Sequence, residues 1–263
     1  MQPLWPTIHT TGSSHSKIRK LGKKQQVAAM FDKIAFRYDF LNRFLSGGID
    51  VYWRRRAIRE LTAGKSKGGG TAQGSGSGYV HPRRGYGHGR HGHMMTRHIP
   101  SSHITGIDIS TGMLDIGRQK INRLGLQERI DLQTGDSEAI RFPDNHFDAV
   151  TVAFGVRNFE NLEQGLHEML RVLKPGGRLV VLEFSQPKTP GIRQIYDLYL
   201  RLVAPNIGKM VSRSREAYQY LNDSVKAFPE GNDFSRIMDG CGYKNIRLRR
   251  LSLCICSLYI GEK

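Results

Sequence analysis

Between Ser66 and Arg97 the sequence contains no Leu, Ile, Phe, Trp, Cys, Asn, Asp or Glu, and a single Val. A stretch of that composition offers too little apolar surface to be expected to supply a buried strand. Acidic residues are scarce at the N-terminus too: residues 1–37 hold seven Lys or Arg against one Asp, and residues 66–103 hold five against none. Most of the net charge of +17 therefore comes from these two segments, and the rest of the chain is only mildly basic. That distribution argues against reading the total charge as a specific nucleic-acid surface. Only three cysteines are present, Cys241, Cys254 and Cys256, too few and too clustered for a secreted disulfide framework. Reduced thiols and a cytoplasmic location are the expectation. No apolar run approaches the roughly 18 residues of a membrane span, and the first residues lack a signal-peptide core, so any membrane contact is expected to be peripheral. What is present is a 38% hydrophobic content over 263 residues, enough for a large domain core and too much for a disordered tail.

Residues 1–24 mix Pro, Thr, Ser, Gly and Lys without periodicity and read as a flexible leader, followed by one domain over 25–263. Val27, Met30, Phe31, Ile34 and Tyr38 recur at helical spacing, and a turn at Gly47 and Gly48 precedes a second helical run from Val51 to Leu61. From residue 103 onward strands and helices alternate: ITGIDIS, a helix near Met113 to Leu124, RIDLQTGD, FDAVTVAF, a helix near Leu162 to Leu173, and RLVVLEF. Such alternation predicts an α/β fold, a mostly parallel sheet with crossover helices on both faces. LKPGG is expected to stop one helix and launch the next strand. Residues 186–230 read as a helical insertion placed like a lid, after which a helix near Phe234 to Cys241 and one alternating strand, KNIRLRRLSLCICSLYIGE, close the chain.

In a doubly wound sheet the ligand sits beyond the carboxyl ends of the strands, so residues there are examined first. Asp108 ends an apolar strand, where a carboxylate can accept two ribose hydroxyls or cap the helix that begins near Ser110. Asp136 ends the next strand, where it can take an adenine amine or act as a cap. In AFGVRN, Ala153 to Asn158, Gly155 permits close approach while Arg157 and Asn158 offer a cation and an amide.

Two longer signatures carry a resemblance. YDFLNRFLSGGIDVYW, Tyr38 to Trp53, and RVLKPGGRLVVLEFS, Arg171 to Ser185, resemble those of the class I S-adenosylmethionine-dependent methyltransferases, specifically the ubiquinone/menaquinone biosynthesis C-methyltransferase family. The first departs from the family pattern in having Asp50 where that pattern has His; the second fits throughout. YQYLNDSVKAFP, Tyr218 to Pro229, is similar to the family's lid segment, and the likeness spans residues 27–65 and 98–263. The resemblance implies S-adenosyl-L-methionine as cofactor and a polyprenylated hydroquinone, a menaquinone or ubiquinone precursor, as the substrate methylated on a ring carbon. It implies Asp108 for the ribose, Asp136 with Ser137 for adenine, and Ala153 at a cofactor contact often occupied by Ser. Arg157 and Asn158 are then expected to stabilise a forming phenolate, while water or a carboxylate such as Asp39 takes the proton. The stripes Phe31, Ile34, Tyr38 and Tyr196, Tyr199, Leu202 are candidates for the prenyl channel.

The family likeness also implies, between the second N-terminal helix and TGIDIS, a buried strand ending in an acid and a glycine loop of the form Asp-x-x-x-Gly-x-Gly with a GTG core. The sequence at 66–97 lacks it: Gly74, Gly76 and Gly78 share its composition without an apolar strand before them. Because the replaced and replacing stretches have similar length, a frame slip near Ser66, restored near Thr96, is the favoured explanation, beside a genuine low-complexity loop and impaired cofactor binding. A reading of this segment as a nucleic-acid arm is disfavoured because its aromatics are Tyr79 and Tyr86 alone. His88, His91 and His93 lack acidic or thiol companions, and no stoichiometric metal is expected.

Overall fold

Val, Ile, Leu and Ala crowd the segments that build the sheet of this computed structural model, which describes residue 32 and residues 48–62, 79–82, 103–187, 191, 194 and 215–263. Among the described residues seven strands run in chain order as β1 (Tyr79–Pro82), β2 (Ile104–Asp108), β3 (Ile130–Thr134), β4 (Phe147–Ala153), β5 (Leu173–Phe184), β6 (Lys244–Leu251) and β7 (Cys256–Glu262). They form one sheet in the order β3-β2-β1-β4-β5-β7-β6. The first five lie parallel, while β7 runs antiparallel to both β5 and β6. The expected α/β architecture is present.

The helices are α1 (Asp50–Thr62), α2 (Thr111–Arg123), α3 (Leu162–Val172), α4 (Arg215–Ala227) and α5 (Asn232–Gly240). Alternation along β4 and β5 splits the core between two faces, as a doubly covered sheet requires. Ala149, Ala153, Val180 and Leu182 pack with Trp53, Ala57 and Ile58 of α1. Val150, Val152, Leu179 and Val181 pack with Leu166 and Met169 of α3 and Phe234 and Met238 of α5. Trp53, from the first signature, is fully enclosed: its Nε1 donates to Ser252 Oγ at 2.8 Å and its ring meets Phe154 and Phe184.

Two expectations need correction, on the 66–97 segment and on the C-terminal run. The 66–97 segment does supply a strand: β1 pairs with β2 through Val80↔Thr105 to Pro82↔Ile107 and with β4 through Tyr79↔Ala149 and Val80↔Val150. Sheet pairing draws on main-chain N–H and C=O groups, which Tyr79, Val80 and His81 carry whatever surrounds them, and Pro82 falls at the strand end. As expected, the LKPGG run ends α3 at Val172 and opens the next strand, with an irregularity in its pairing. Strand β5 begins at Leu173, and Lys174–Gly177 bulge out between the pairs Phe147↔Leu173 and Ala149↔Arg178, with Gly176 at φ 73°. The C-terminal run is two strands, because Ser252, Leu253 and Cys254 all adopt left-handed backbone and turn the chain between β6 and β7.

The stripe ending at Tyr38, most of the lid up to residue 214, the leader and the rest of 66–97 lie outside the described residues.

Candidate functional site

The carboxyl ends of the parallel strands gather the residues singled out above. At the end of β2, Asp108 Oδ1 accepts the N–H of Ser110 at 2.8 Å, an Asx turn that leads the chain into α2. Ser110 itself is the helix N-cap, taking Met113 N–H on Oγ at 3.2 Å. The helix cap and the candidate ribose acid are thus different residues, which the sequence left undecided. A residue not anticipated from sequence joins them: Asp32 Oδ1 accepts Ser110 Oγ at 2.5 Å and Gly112 N at 3.2 Å. A carboxylate there is favoured by the partial positive charge at the start of α2. Nothing in its local sequence, a polar position on a helical stripe, announced that contact.

Beyond β3, Gly135 N–H donates to Asp108 O at 3.0 Å, which sets the two strand ends side by side. Asp136 Oδ1 accepts Glu138 N at 3.0 Å, so this acid also shapes its own turn. Ser137 is buried, and its Oγ has no hydrogen-bond partner among the described residues. An orphaned buried hydroxyl next to a loop acid fits a ligand's polar edge, since leaving it unpaired costs about 1–3 kcal/mol. Glu138 then ties this loop to the next: its carboxylate accepts Glu160 N at 2.8 Å and Asn161 N at 3.1 Å.

Ala153 ends β4 fully buried, and Phe154 follows at φ 60°, a left-handed turn that sends the chain into a short 3₁₀ helix, Val156–Asn158. Arg157 and Asn158 are both buried. Arg157 Nη1 bonds Glu183 Oε1 at 2.6 Å and Phe154 O at 2.6 Å, and its backbone N–H reaches Glu183 Oε2 at 3.4 Å. Burial pushes the Glu183 carboxyl up from its ordinary range, and Arg157 and the N–H of Phe184 pull against that. Glu183 is the penultimate residue of β5, and its pairing with Arg157 could not be read from the sequence. Asn158 Oδ1 accepts the Tyr220 hydroxyl of α4 at 3.0 Å, while its Nδ2 donor has no hydrogen-bond partner among the described residues. Tyr220 lies in the run that resembles the family lid.

The structure therefore brings Asp108, Asp136 and Ser137 together at adjacent strand ends and links them through Glu138 to the loop that follows Asn158. Asp39 lies outside the described residues, as do His88, His91 and His93. Among the described residues no cluster of three His, Cys, Asp or Glu is arranged to hold a metal ion, and no helix is long and apolar enough to cross a membrane.

Comparison with known proteins gives a consistent answer. The profile of the ubiE/COQ5 methyltransferase family matches residues 19–263. A demethylmenaquinone methyltransferase of Bacteroides fragilis is 40% identical over 92% of this chain and 94% of its own. A ubiquinone/menaquinone biosynthesis C-methyltransferase of Geotalea daltonii is 42% identical over 92% of this chain and 97% of its own. Among solved structures, phosphoethanolamine N-methyltransferase 2 of Haemonchus contortus in complex with S-adenosyl-L-methionine superposes with a TM-score of 0.62 at 12% identity, over 92% of this chain and 60% of that one, which speaks to the fold alone.

Proposed function

Because the chain belongs to the ubiE/COQ5 methyltransferase family, we propose that it transfers a methyl group from S-adenosyl-L-methionine to a ring carbon of a polyprenylated hydroquinone, as in the conversion of a demethylmenaquinol to a menaquinol or of the related ubiquinone precursor. The residues present suit that cofactor: Asp108 stands at the β2 end for a ribose, and Asp136 with the Ser137 hydroxyl, which has no hydrogen-bond partner among the described residues, stands one strand over for adenine. When bound, the cofactor supplies an electrophilic methyl on a sulfonium.

The chain's own task is to make a ring carbon nucleophilic. A hydroquinone carbon attacks well only when a neighbouring hydroxyl becomes a phenolate, so charge must be stabilised where it develops. The observation that carries the assignment is Asn158, whose Nδ2 is a buried donor without a hydrogen-bond partner among the described residues and whose Oδ1 is fixed by Tyr220. That amide is oriented to donate to an oxygen. Arg157, one residue away and held by Glu183, adds a permanent cation that cannot serve as base. Proton removal falls to water or to a carboxylate such as Asp39. The contact of Tyr220 of α4 with Asn158 supports a reading in which this helix helps to keep water from the reacting groups. The prenyl tail makes peripheral contact with a membrane surface the natural route of substrate entry, from a cytoplasmic location.

The test is methyl transfer from isotopically labelled S-adenosyl-L-methionine to a short-chain demethylmenaquinol, with the product located by mass spectrometry. Label on a ring carbon is expected; label only on an oxygen would reject C-methylation.

A further inference from the structure

Strand β1 holds the centre of the sheet, where the order turns from β2 and β3 on one side to β4 and β5 on the other. In a sheet of this kind the residues following that strand approach a nucleotide-type ligand with their backbone, and small residues are required there. The chain instead continues from Pro82 as RRGYGHGRHGH, rich in cations and rings and without an acid. The codons behind those residues constrain a second text. With N any base and Y a pyrimidine, His is CAY, Tyr is TAY, Gly is GGN, Pro is CCN and Arg is commonly CGN.

Displaced one base downstream, His81 reads as AYC, Ile or Thr, and Pro82 as CNC, which includes Leu. Arg83 reads as GNC, which includes Asp. Arg84 and Gly85 read as GNG and GNT, both of which include Val and Ala. Tyr86 and His88 become AYG, restricted to Met or Thr, and Gly87 and Gly89 become GNC, which includes Gly. The shifted frame thus admits an apolar strand end, an acid at position 83, glycine at 87 and 89, and threonine between them. That is the Asp-x-x-x-Gly-x-Gly pattern with its GTG core, and in sequence it begins directly after Pro82, the last residue of β1. The opposite shift cannot spell it, because Gly87 followed by His88 would read NCA, which never encodes glycine.

The frame also has a forced end. Met94 and Met95 are both ATG, so the shifted reading meets TGA there and must return to the present frame no later than the His93–Met94 boundary. From Met94 the present frame runs into β2. One base gained upstream of His81 and one lost by that boundary leave the residue count unchanged.

We propose that residues from His81, or earlier, through His93 are the coding bases of a cofactor-binding glycine loop translated one base out of register. The ligand named here rests on the methyltransferase reading; the register does not.

The DNA encoding this chain is the first test. Expected are GGG for both Gly87 and Gly89, TAC for Tyr86, CAC for His88 and a codon ending in A for Arg83. Any other third base at Gly87, Gly89 or Arg83 overturns the proposal. The second test is calorimetric titration of S-adenosyl-L-methionine into the full chain and into a full-length variant carrying Pro82→Leu, Arg83→Asp, Arg84→Val, Gly85→Ala, Tyr86→Thr, His88→Thr, Arg90→Asp, Gly92→Ala and His93→Ile. A gain of about tenfold or more in affinity is expected, lost again when Arg83 is replaced by Ala in the same background. A variant that folds, by circular dichroism, yet binds no more tightly than the original overturns it. If the variant does not fold, the codons decide. If it binds the cofactor but methylates no quinol, the proposed function falls while the register stands.

Discussion

Tyr220 of α4 donates its hydroxyl to Asn158 Oδ1 at 3.0 Å, and both side chains are buried. This bond decides which way the amide faces. With Oδ1 committed to α4, Nδ2 is the atom presented elsewhere, so a residue of α4 orients a group proposed to touch substrate. Tyr220→Phe should lower kcat roughly five- to tenfold by releasing that orientation, at a stability cost of about 1–3 kcal/mol for the unpaired carbonyl. Steady-state kinetics beside thermal denaturation separates the two effects. Unchanged kcat in a destabilised variant would confine Tyr220 to packing.

Asp108→Asn provides a cleaner probe of the ribose acid than Asp108→Ala. The amide oxygen can still accept Ser110 N–H, so the turn into α2 survives while the charge and one acceptor are lost. Cofactor affinity, measured in the chain with its loop restored, should fall about tenfold with little change in Tm. Equal affinity in the two forms would remove Asp108 from the ribose role.

Arg157 and Glu183 form an ion pair shielded from solvent on both sides. Glu183→Gln leaves the guanidinium without its counter-charge and should destabilise the fold by about 3–5 kcal/mol, whereas the double change with Arg157→Met should recover much of that loss. Urea denaturation of the four forms gives the coupling. A double variant as unstable as Glu183→Gln would mean that shape, not charge, is what the pair supplies.

The carboxyls also predict the acid limb of stability. Glu168 is held below its usual range by its hydrogen bond from Arg171, and Glu262 by those from Asn245 and Arg178. A depressed native pKa stabilises above the unfolded value near 4.5 and is lost as pH falls through the native value. Glu183 has the opposite sign: its raised carboxyl makes stability fall as pH climbs from about 4.5 towards the native value. Glu168→Gln should therefore flatten the acid limb below pH 4.5. Denaturation midpoints against pH would contradict this if that variant kept the parent slope.

Much of this architecture could be read from side-chain pattern. FDAVTVA and RLVVLEF announced β4 and β5 because strands covered on both faces must be apolar at nearly every position. The positions of α2, α3 and α5 followed from apolar spacing to within two residues. What the pattern could not convey was anything decided by main chain alone. Strand β1 exists by pairing to β2 and β4 in a segment whose composition argued against a buried strand. The β6–β7 turn rests on three non-glycine residues in left-handed backbone, for which no Gly, Asn or Asp gives warning. At the candidate site, the expectation for Asp108, Asp136, Arg157 and Asn158 came from their places at strand ends, where ligands sit in such sheets. Asp32, Glu183 and Tyr220 were hidden because each acts across 26 to 78 positions of sequence, a separation no local window spans.

Four residues of β1 hold the two halves of the sheet together. On one side lies the β2–β3 pair carrying α2 and Asp108; on the other lie β4, β5, β7 and β6 with Arg157 and Asn158. Three register pairs join the seam on one edge and two on the other. Local opening is cheapest where few bonds must break, so amide protons of Ile104–Asp108 facing β1 should exchange with solvent sooner than those locked between β4 and β5. A ligand touching Asp108 and the Arg157–Asn158 loop at once would span that seam and act as a clasp. Its binding would slow exchange across both halves, in proportion to its occupancy of the closed state.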